Sequence, residues 1–172
     1  MKLSFLFVFI ITSLFNFPAY SNIIVFVDMN KLISTSKPGS FLMKQLDDLS
    51  KNNIINFKKK EKNFKKEETQ LLDQKKILSP ENFEKKINNL KLQVNLYNKE
   101  KLKTIKYFDE IKLKNTNNLL ELINQILIKY STENSISLIL QKRNLIMGKN
   151  ELDITNKIIK LINREIKEKI IE

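Results

Sequence analysis

The chain of 172 residues contains no cysteine, no histidine and no tryptophan. Without cysteine the fold has neither disulfides nor thiolate metal sites, and without histidine it lacks the commonest general base and metal ligand. Its two glycines, Gly39 and Gly148, lie too far apart for a glycine-rich phosphate-binding loop. We therefore predict that the protein is not an enzyme and uses no metal or cofactor.

The first 21 residues have the pattern of a secretory signal peptide. Lys2 precedes a mostly apolar run over residues 3–17, and Ala19 and Ser21 form a small-residue cleavage site. The run is shorter than the ~20 apolar residues that a membrane-spanning helix needs, and no basic cluster follows it at once. These features disfavour a membrane anchor and predict an exported protein that begins at Asn22.

The charge of the chain is strongly basic and unevenly distributed. The whole sequence holds 31 basic and 19 acidic residues, a net charge of +12. Residues 51–120 alone hold 18 lysines and 9 acidic residues. Such a field attracts anionic partners, which include acidic polypeptides, anionic lipid surfaces and nucleic acid.

The middle of the chain predicts two long helices in an antiparallel hairpin, an arm over residues 41–119. The first helix has no glycine or proline between residues 41 and 78, and its apolar residues recur every seven positions, as in a coiled coil, at Phe57, Phe64, Leu71 and Leu78. Ser79-Pro80-Glu81 is a typical helix start, which places the turn at 79–81. A second heptad series follows at Phe83, Ile87, Leu90, Val94 and Tyr97.

Charged residues interrupt this heptad seam. Glu61, Glu68 and Lys75 occupy positions where the first helix would carry its second apolar residue, and Lys101 interrupts the second series. The seam is therefore predicted to be narrow. We also predict that i,i+4 ion pairs stabilise the solvated helices slightly, at Glu61–Lys65, Glu81–Lys85 and Glu110–Lys114.

The two ends of the chain predict a small β-containing body, formed by residues 22–40 and 120–172. Residues 22–27 are rich in β-branched side chains and predict a strand, followed by a short helix over 28–35 and a break at the Pro-Gly pair of 36–40. Near the other end we expect a loop at 131–135, paired strands at 136–140 and 144–147, and a final amphipathic helix through Ile170. The predicted fold class is α+β, mainly α.

This body has only about 70 residues, and it has no disulfide or metal to stabilise it. A domain that small usually needs oligomerisation. The strand residues expected to form the oligomer are Ile23, Ile24, Val25, Phe26, Val27, Ile136, Leu138, Leu140, Leu145 and Met147.

Two patches resemble the Skp/OmpH family of periplasmic chaperones. One is Ile24 to Ile33 with Ser36-Lys37-Pro38-Gly39, which is similar to the family's first strand and short helix. The other is Ile136 to Leu140, Asn144 to Met147 and Leu152-Asp153-Ile154-Thr155, which is similar to its last strands and the entry to its final helix. The resemblance implies a periplasmic, ATP-independent homotrimeric holding chaperone, with unfolded outer-membrane β-barrel proteins as clients.

Arm side chains divide into two predicted roles. We assign the heptad set to the helix seam and expect client contacts from apolar residues off that seam, at Leu72, Ile77, Leu92, Leu96 and Leu102. The lysines expected to attract acidic clients, and an anionic membrane or lipopolysaccharide surface, are Lys58, Lys59, Lys60, Lys65, Lys66, Lys75, Lys76, Lys85 and Lys86.

Two other classes of protein share some of these features. A nucleic-acid-binding protein would use the same basic charge, but the signal peptide and the absence of a base-reading motif predict no nucleic-acid partner. An exported coiled-coil scaffold would also be helical, yet it would need neither a turn at Ser79 nor strands at both chain ends. Aggregation suppression without ATP distinguishes a holding chaperone from such a scaffold.

Overall fold

A computed structural model describes residues 22–167 and confirms an α+β fold that is mainly helical. The predicted signal peptide, residues 1–21, and Ile170 lie outside the described residues. The elements in chain order are β1 (Ile23–Val27), α1 (Met29–Thr35), α2 (Lys37–Asp73), α3 (Pro80–Glu133), β2 (Ile136–Gln141) and α4 (Thr155–Glu165). The helices α2 and α3 form the arm, and the other elements gather at its base.

The strands β1 and β2 form a two-stranded parallel sheet, with Val25 opposite Ile139. Parallel neighbours need a long crossover connection, and here the connection is α1 followed by the entire hairpin. The start of α4 is also attached to β1, because the Ile154 amide donates to the Phe26 carbonyl over 3.0 Å. The two ends of the chain therefore meet in one body.

The core of the body lies where α1, α4 and the base of the arm meet. Its fully buried side chains include Leu32, Leu119, Ile123, Ile158 and Ile162. Burying a leucine or isoleucine stabilises a fold by roughly 1.5–3 kcal/mol. Leu42 and Leu46 of α2 join the same cluster, so the root of the arm packs as part of the body.

The predicted break at residues 36–40 is wrong, because the arm helix already begins at Lys37. Proline is tolerated in the first turn of a helix, where its missing N–H would have no partner. The Ser36 hydroxyl caps the helix by accepting from the Gly39 amide over 3.3 Å. The Pro-Gly pair therefore starts α2, and the chain changes direction at Ser36 alone.

We expect Gly39→Ala to destabilise the protein by roughly 1–3 kcal/mol, the range for an overpacked core. A Cβ at this position would collide with the backbone carbonyl oxygen of Ile33, which belongs to the preceding helix and cannot move independently. The measurement is urea unfolding followed by circular dichroism. Ser40→Ala, on an exposed neighbour in the same turn, is the control; equal midpoints for the two variants would contradict the prediction.

Two details of the predicted body are corrected. The helix α3 continues to Glu133, three residues into the expected loop at 131–135, and the chain turns at Ser135 with a left-handed φ of 52°. Residues 144–147 are not a strand: a 3-10 turn, Lys142–Asn144, ends β2, and Leu145 and Met147 follow in irregular chain. The reason is that β2 pairs with the distant β1, a contact that local sequence does not reveal.

The hairpin itself is confirmed. The helix α2 ends at Asp73, five residues earlier than predicted, and a 3-10 turn, Gln74–Lys76, follows it. Ser79 caps α3 by accepting from the Asn82 amide over 3.4 Å. At ~1.5 Å per residue the two helices are about 55 and 80 Å long. None of the helices within residues 22–167 is both long and apolar enough to cross a membrane.

Candidate binding grooves on the helical arm

The heptad residues of the arm form its seam, as predicted. Leu71, Leu90 and Tyr97 are buried between the helices, and Phe57, Phe64, Ile87 and Val94 are half-buried beside them. The Tyr97 ring packs 5.4 Å from the Phe64 ring and 6.4 Å from the Phe57 ring, measured between centroids. Half-burial matters because one edge of these seam side chains remains accessible from outside.

The charged interruptions of the two heptad series meet across the middle of the arm. The Lys101 ammonium lies 2.7 Å from Glu61 Oε1, and the Tyr97 hydroxyl donates to the same oxygen over 2.8 Å. Lys60 and Glu100 form a second ion pair across the hairpin at 2.8 Å. The predicted Glu61–Lys65 pair is replaced by this cross-arm contact, and Glu110 pairs with Lys106 instead of Lys114; Glu81–Lys85 is confirmed.

This central cluster changes the titration of two side chains. Hydrogen bonds from Lys101 and then from Tyr97 hold the pKa of Glu61 below its ordinary value. Burial, and then the hydrogen bond to Glu61, raise the pKa of Tyr97 to about 12. The seam around Tyr97 therefore favours the neutral phenol.

We expect the arm to lose stability as pH rises from about 10 towards 12. The folded-state pKa of Tyr97 lies above the value of about 10 in an unfolded chain, so alkaline pH ionises the unfolded state first. Tyr97→Phe removes this loss, whereas Tyr107→Phe, on an exposed tyrosine, retains it. The measurement is the thermal midpoint between pH 9 and 12; parallel curves for wild type and Tyr97→Phe would contradict the assignment.

Two grooves run along opposite sides of the seam. Groove A combines neighbouring cavities of about 730 and 360 Å³. Its lining is mostly apolar, from Ile54, Phe57, Phe64, Ile87, Leu90, Val94, Tyr97, Ile105 and Phe108. Groove B combines cavities of about 380 and 440 Å³ and shares the rings of Phe57, Phe64 and Tyr97 with groove A. Its other lining is mainly polar, with Asn53, Asn56, Asn63, Gln93, Leu96 and Thr104.

The two grooves also differ in charge. Groove A carries four lysines, Lys58, Lys65, Lys91 and Lys101, against the two glutamates Glu61 and Glu68. Groove B carries two lysines and two glutamates, and one pair of these is already joined as Lys60–Glu100. The arm thus has an apolar side with a basic rim and a polar side that is charge-balanced.

The five predicted client-contact residues are all exposed, but they do not share one surface. Leu72 lies four residues after Glu68, and Leu102 four residues after Asn98, so both lie on the helix faces that line groove A. Leu96 lines groove B. Leu92 lies two residues from both Leu90 and Val94, on the outer side of α3, and Ile77 lies in the turn.

The nine predicted arm lysines are exposed and also divide between the two sides. Lys58 and Lys65 line groove A, and Lys59 and Lys60 line groove B. Toward the tip, Lys86 donates to Gln74 and Lys75 lies 6.0 Å from the centroid of the Phe83 ring. The remaining members are exposed at the positions Lys66, Lys76 and Lys85.

The predicted oligomerisation residues occupy two environments. Val25, Phe26 and Val27 are buried within the single chain, and Ile136 and Leu140 are half-buried. The facing pair Ile24 and Leu138 is 46% and 47% exposed. In the irregular chain after β2, Leu145 is half-buried and Met147 is 86% exposed. Apolar surface therefore remains uncovered on the body.

Sequence reasoning missed the asymmetry between the grooves. Ile54, Ile105 and Lys91 belong to groove A. Ile54 occupies the second heptad position of the first helix, seven residues before Glu61, and Ile105 resumes the second series on a shifted register after Lys101, but the heptad pattern alone does not assign them to one side of the seam. The signal that was present is the opposite charge of Glu61 and Lys101 at two seam interruptions, since opposite charges in facing helices predict a cross-arm pair. Which side of the hairpin becomes the apolar one depends on how the two helices are rotated about their axes.

The fold and the grooves define a class of protein: a small α/β body that carries a long helical hairpin with an apolar groove. The chain belongs to the family described as Outer membrane protein (OmpH-like), whose model matches residues 23–162. A crystal structure from Caulobacter crescentus CB15, described as a candidate outer membrane chaperone (OmpH-like), has a similar fold. Its TM-score is 0.78 at 14% identity, over 88% of this chain and 89% of that one. A search of the curated proteins returned no match.

Proposed function

We propose that the protein is an ATP-independent holding chaperone of the periplasm, which binds unfolded outer-membrane β-barrel proteins along its arm and prevents their aggregation. Membership of the OmpH-like family and the likeness to a candidate outer membrane chaperone support a chaperone role. The observation that carries the proposal is groove A, in which seam side chains such as Phe64 and Val94 stay accessible along a solvated arm.

The chemistry of groove A matches the proposed clients. Strands of membrane β-barrels alternate apolar and polar residues, so an unfolded barrel protein exposes many separate apolar side chains. A long groove with several apolar positions binds such a chain through many weak contacts. No nucleotide-dependent step is needed, because release follows when the client buries its apolar residues in its own folded barrel.

The lysines supply a second, longer-ranged attraction. Exposed charges are screened beyond about 8 Å at physiological salt, so their main effect is on the rate of encounter. The basic rim formed by Lys58, Lys65 and Lys91 points to acidic client segments. The same charges favour an anionic membrane or lipopolysaccharide surface as a second place of encounter.

The proposed assembly is a homotrimer in which the bodies associate and the arms project. The small body and its exposed apolar residues support oligomerisation on physical grounds, and the family resemblance supports three copies. The cavity between arms would then hold the client.

The experiment that tests the proposal is aggregation suppression. A urea-unfolded outer-membrane protein is diluted into buffer without ATP, and light scattering is followed with and without the purified mature protein. We expect scattering to fall in proportion to the chaperone added, while an unrelated coiled-coil protein at equal concentration has no effect. Unchanged scattering would favour an exported structural scaffold instead.

A further inference from the structure

We infer that groove A binds one extended client segment at a time, about as long as a single transmembrane β-strand, with alternating apolar side chains and an acidic residue near one end. This inference rests on the proposed function and specifies what the groove recognises.

The length of the groove sets the length of the segment. On α2 the groove extends from Ser50 to Glu68, a distance of about 27 Å at ~1.5 Å per residue. An extended chain advances roughly 3.3 Å per residue, so about eight residues fill the groove. A membrane-spanning strand has about 9–11 residues, so one groove matches nearly one strand.

The lining also has a pattern. Ile54, Ile105 and Phe108 form a lower apolar part of the groove near the body, and Ile87, Leu90 and Val94 belong to the upper part. The Glu61–Lys101 pair lies between the two parts. A segment that is apolar along its whole length would leave every second apolar side chain exposed to solvent.

An alternating segment avoids that exposure. Successive side chains of an extended chain point to opposite faces, so alternate residues enter the two apolar parts while the others face solvent. The backbone also finds a hydrogen-bond donor at the middle of the groove, because Lys101 has three N–H groups and uses one for Glu61. Lys65 and Lys91 lie near the upper end of the groove, which favours an acidic residue at that end of the segment, and Lys58 lies near the middle.

The comparison with groove B argues against non-specific apolar binding along the whole arm. Both grooves lie between the same helices and share the rings of Phe57, Phe64 and Tyr97, but the rest of groove B is lined mainly by asparagine, glutamine, threonine and charge-balanced pairs. Leu96 in groove B and Leu92 on the outer side are each 58% exposed, more than Ile54 at 48% and Ile105 at 42%. If exposure alone set the contribution to client binding, Leu92 and Leu96 would contribute more than Ile54 and Ile105. If groove A sets it, Ile54 and Ile105 contribute more, so the two pairs serve as matched test sites.

The test measures the binding of labelled peptides to the mature full-length protein by fluorescence anisotropy. A nine-residue peptide with alternating apolar residues and an acid at each end is compared with a peptide of the same composition in non-alternating order, and with one in which lysines replace the acids. We expect each altered peptide to bind about tenfold more weakly. A length series should gain affinity from five to nine residues and change little at thirteen.

The variants locate the site. Ile54→Lys and Ile105→Lys should each weaken binding of the alternating peptide about tenfold, whereas Leu92→Lys and Leu96→Lys should leave it within about twofold. Circular dichroism confirms that all four variants remain helical, and any variant that does not is replaced by its serine counterpart. Equal weakening by the two pairs, or indifference to residue order, would overturn the inference.

The strand-sized site and the proposed holding function can fail independently of each other. If wild-type protein suppresses aggregation of a whole client but the peptides show no preference for order, length or groove A, the holding function stands and the strand-sized site is wrong. If the alternating peptide binds groove A but aggregation is not suppressed, the site stands and the holding function is wrong.

Discussion

Replacement of residues 58–103 by a short turn is expected to abolish aggregation suppression and to leave the body folded. The cross-arm contacts Lys60–Glu100 and Lys101 above the Phe57 ring show that these two cut points lie side by side in the hairpin. Every fully buried residue of the core lies outside the excised segment. The excision removes most of groove A and 14 of the 18 lysines in residues 51–120.

The control for this deletion changes only the tip. Replacing residues 74–79 by another turn of equal length keeps both grooves, because neither has a lining residue between Glu68 on α2 and Ile87 on α3. Light scattering of a diluted, unfolded outer-membrane protein should be suppressed by the tip variant and not by the arm deletion. Circular dichroism and mass measurement check that the deletion variant is folded. Full suppression by the deletion variant would move client binding to the body.

The second large effect is expected at the outer face of the sheet. Ile24→Lys or Leu138→Lys should dissociate the proposed oligomer into single folded chains. These facing residues leave nearly half of each side chain exposed in a two-stranded sheet, and an apolar pair at this place is typical of a surface that another copy covers. A lysine there would be buried without a partner at the proposed interface, and the cost of burying an unpaired charge opposes association.

The measurement is mass by light scattering after size exclusion, with circular dichroism to follow helix content. Asn30→Lys adds the same charge to an exposed position on α1 and should leave the mass unchanged. An unchanged mass for both Ile24→Lys and Leu138→Lys would place the contact between copies elsewhere on the body.

Local signals in the sequence predicted the arm well. The heptad series around Phe57, Phe64 and Leu90, and the helix start at Ser79, each depend on residues within a few turns of one another. The confirmed seam and cap follow from those short-range preferences. The error at Pro38-Gly39 arose because the same pair ends a helix in one context and begins one in another. The Ser36 hydroxyl, which accepts from the Gly39 amide, decides between the two.

Long-range pairing accounts for the other errors. The strand β2 looked like one half of a hairpin, but its partner is β1, more than one hundred residues earlier in the chain. Glu61 looked like the partner of Lys65, but a lysine and a tyrosine on the facing helix are better placed for its carboxylate. In both cases the sequence offers a partner nearby in the chain, but the folded structure brings a distant partner into contact instead.

The sequence by itself determined that this protein is a helical, basic hairpin on a small body, because periodicity, capping and composition act over a few residues. Only the tertiary structure decided which side of the hairpin is apolar, which charges neutralise each other across the seam and which strand edges meet. Those features depend on the rotation and register of elements that are distant in sequence. Packing of the whole chain sets both, since no residue's own preference for helix or strand specifies its partner.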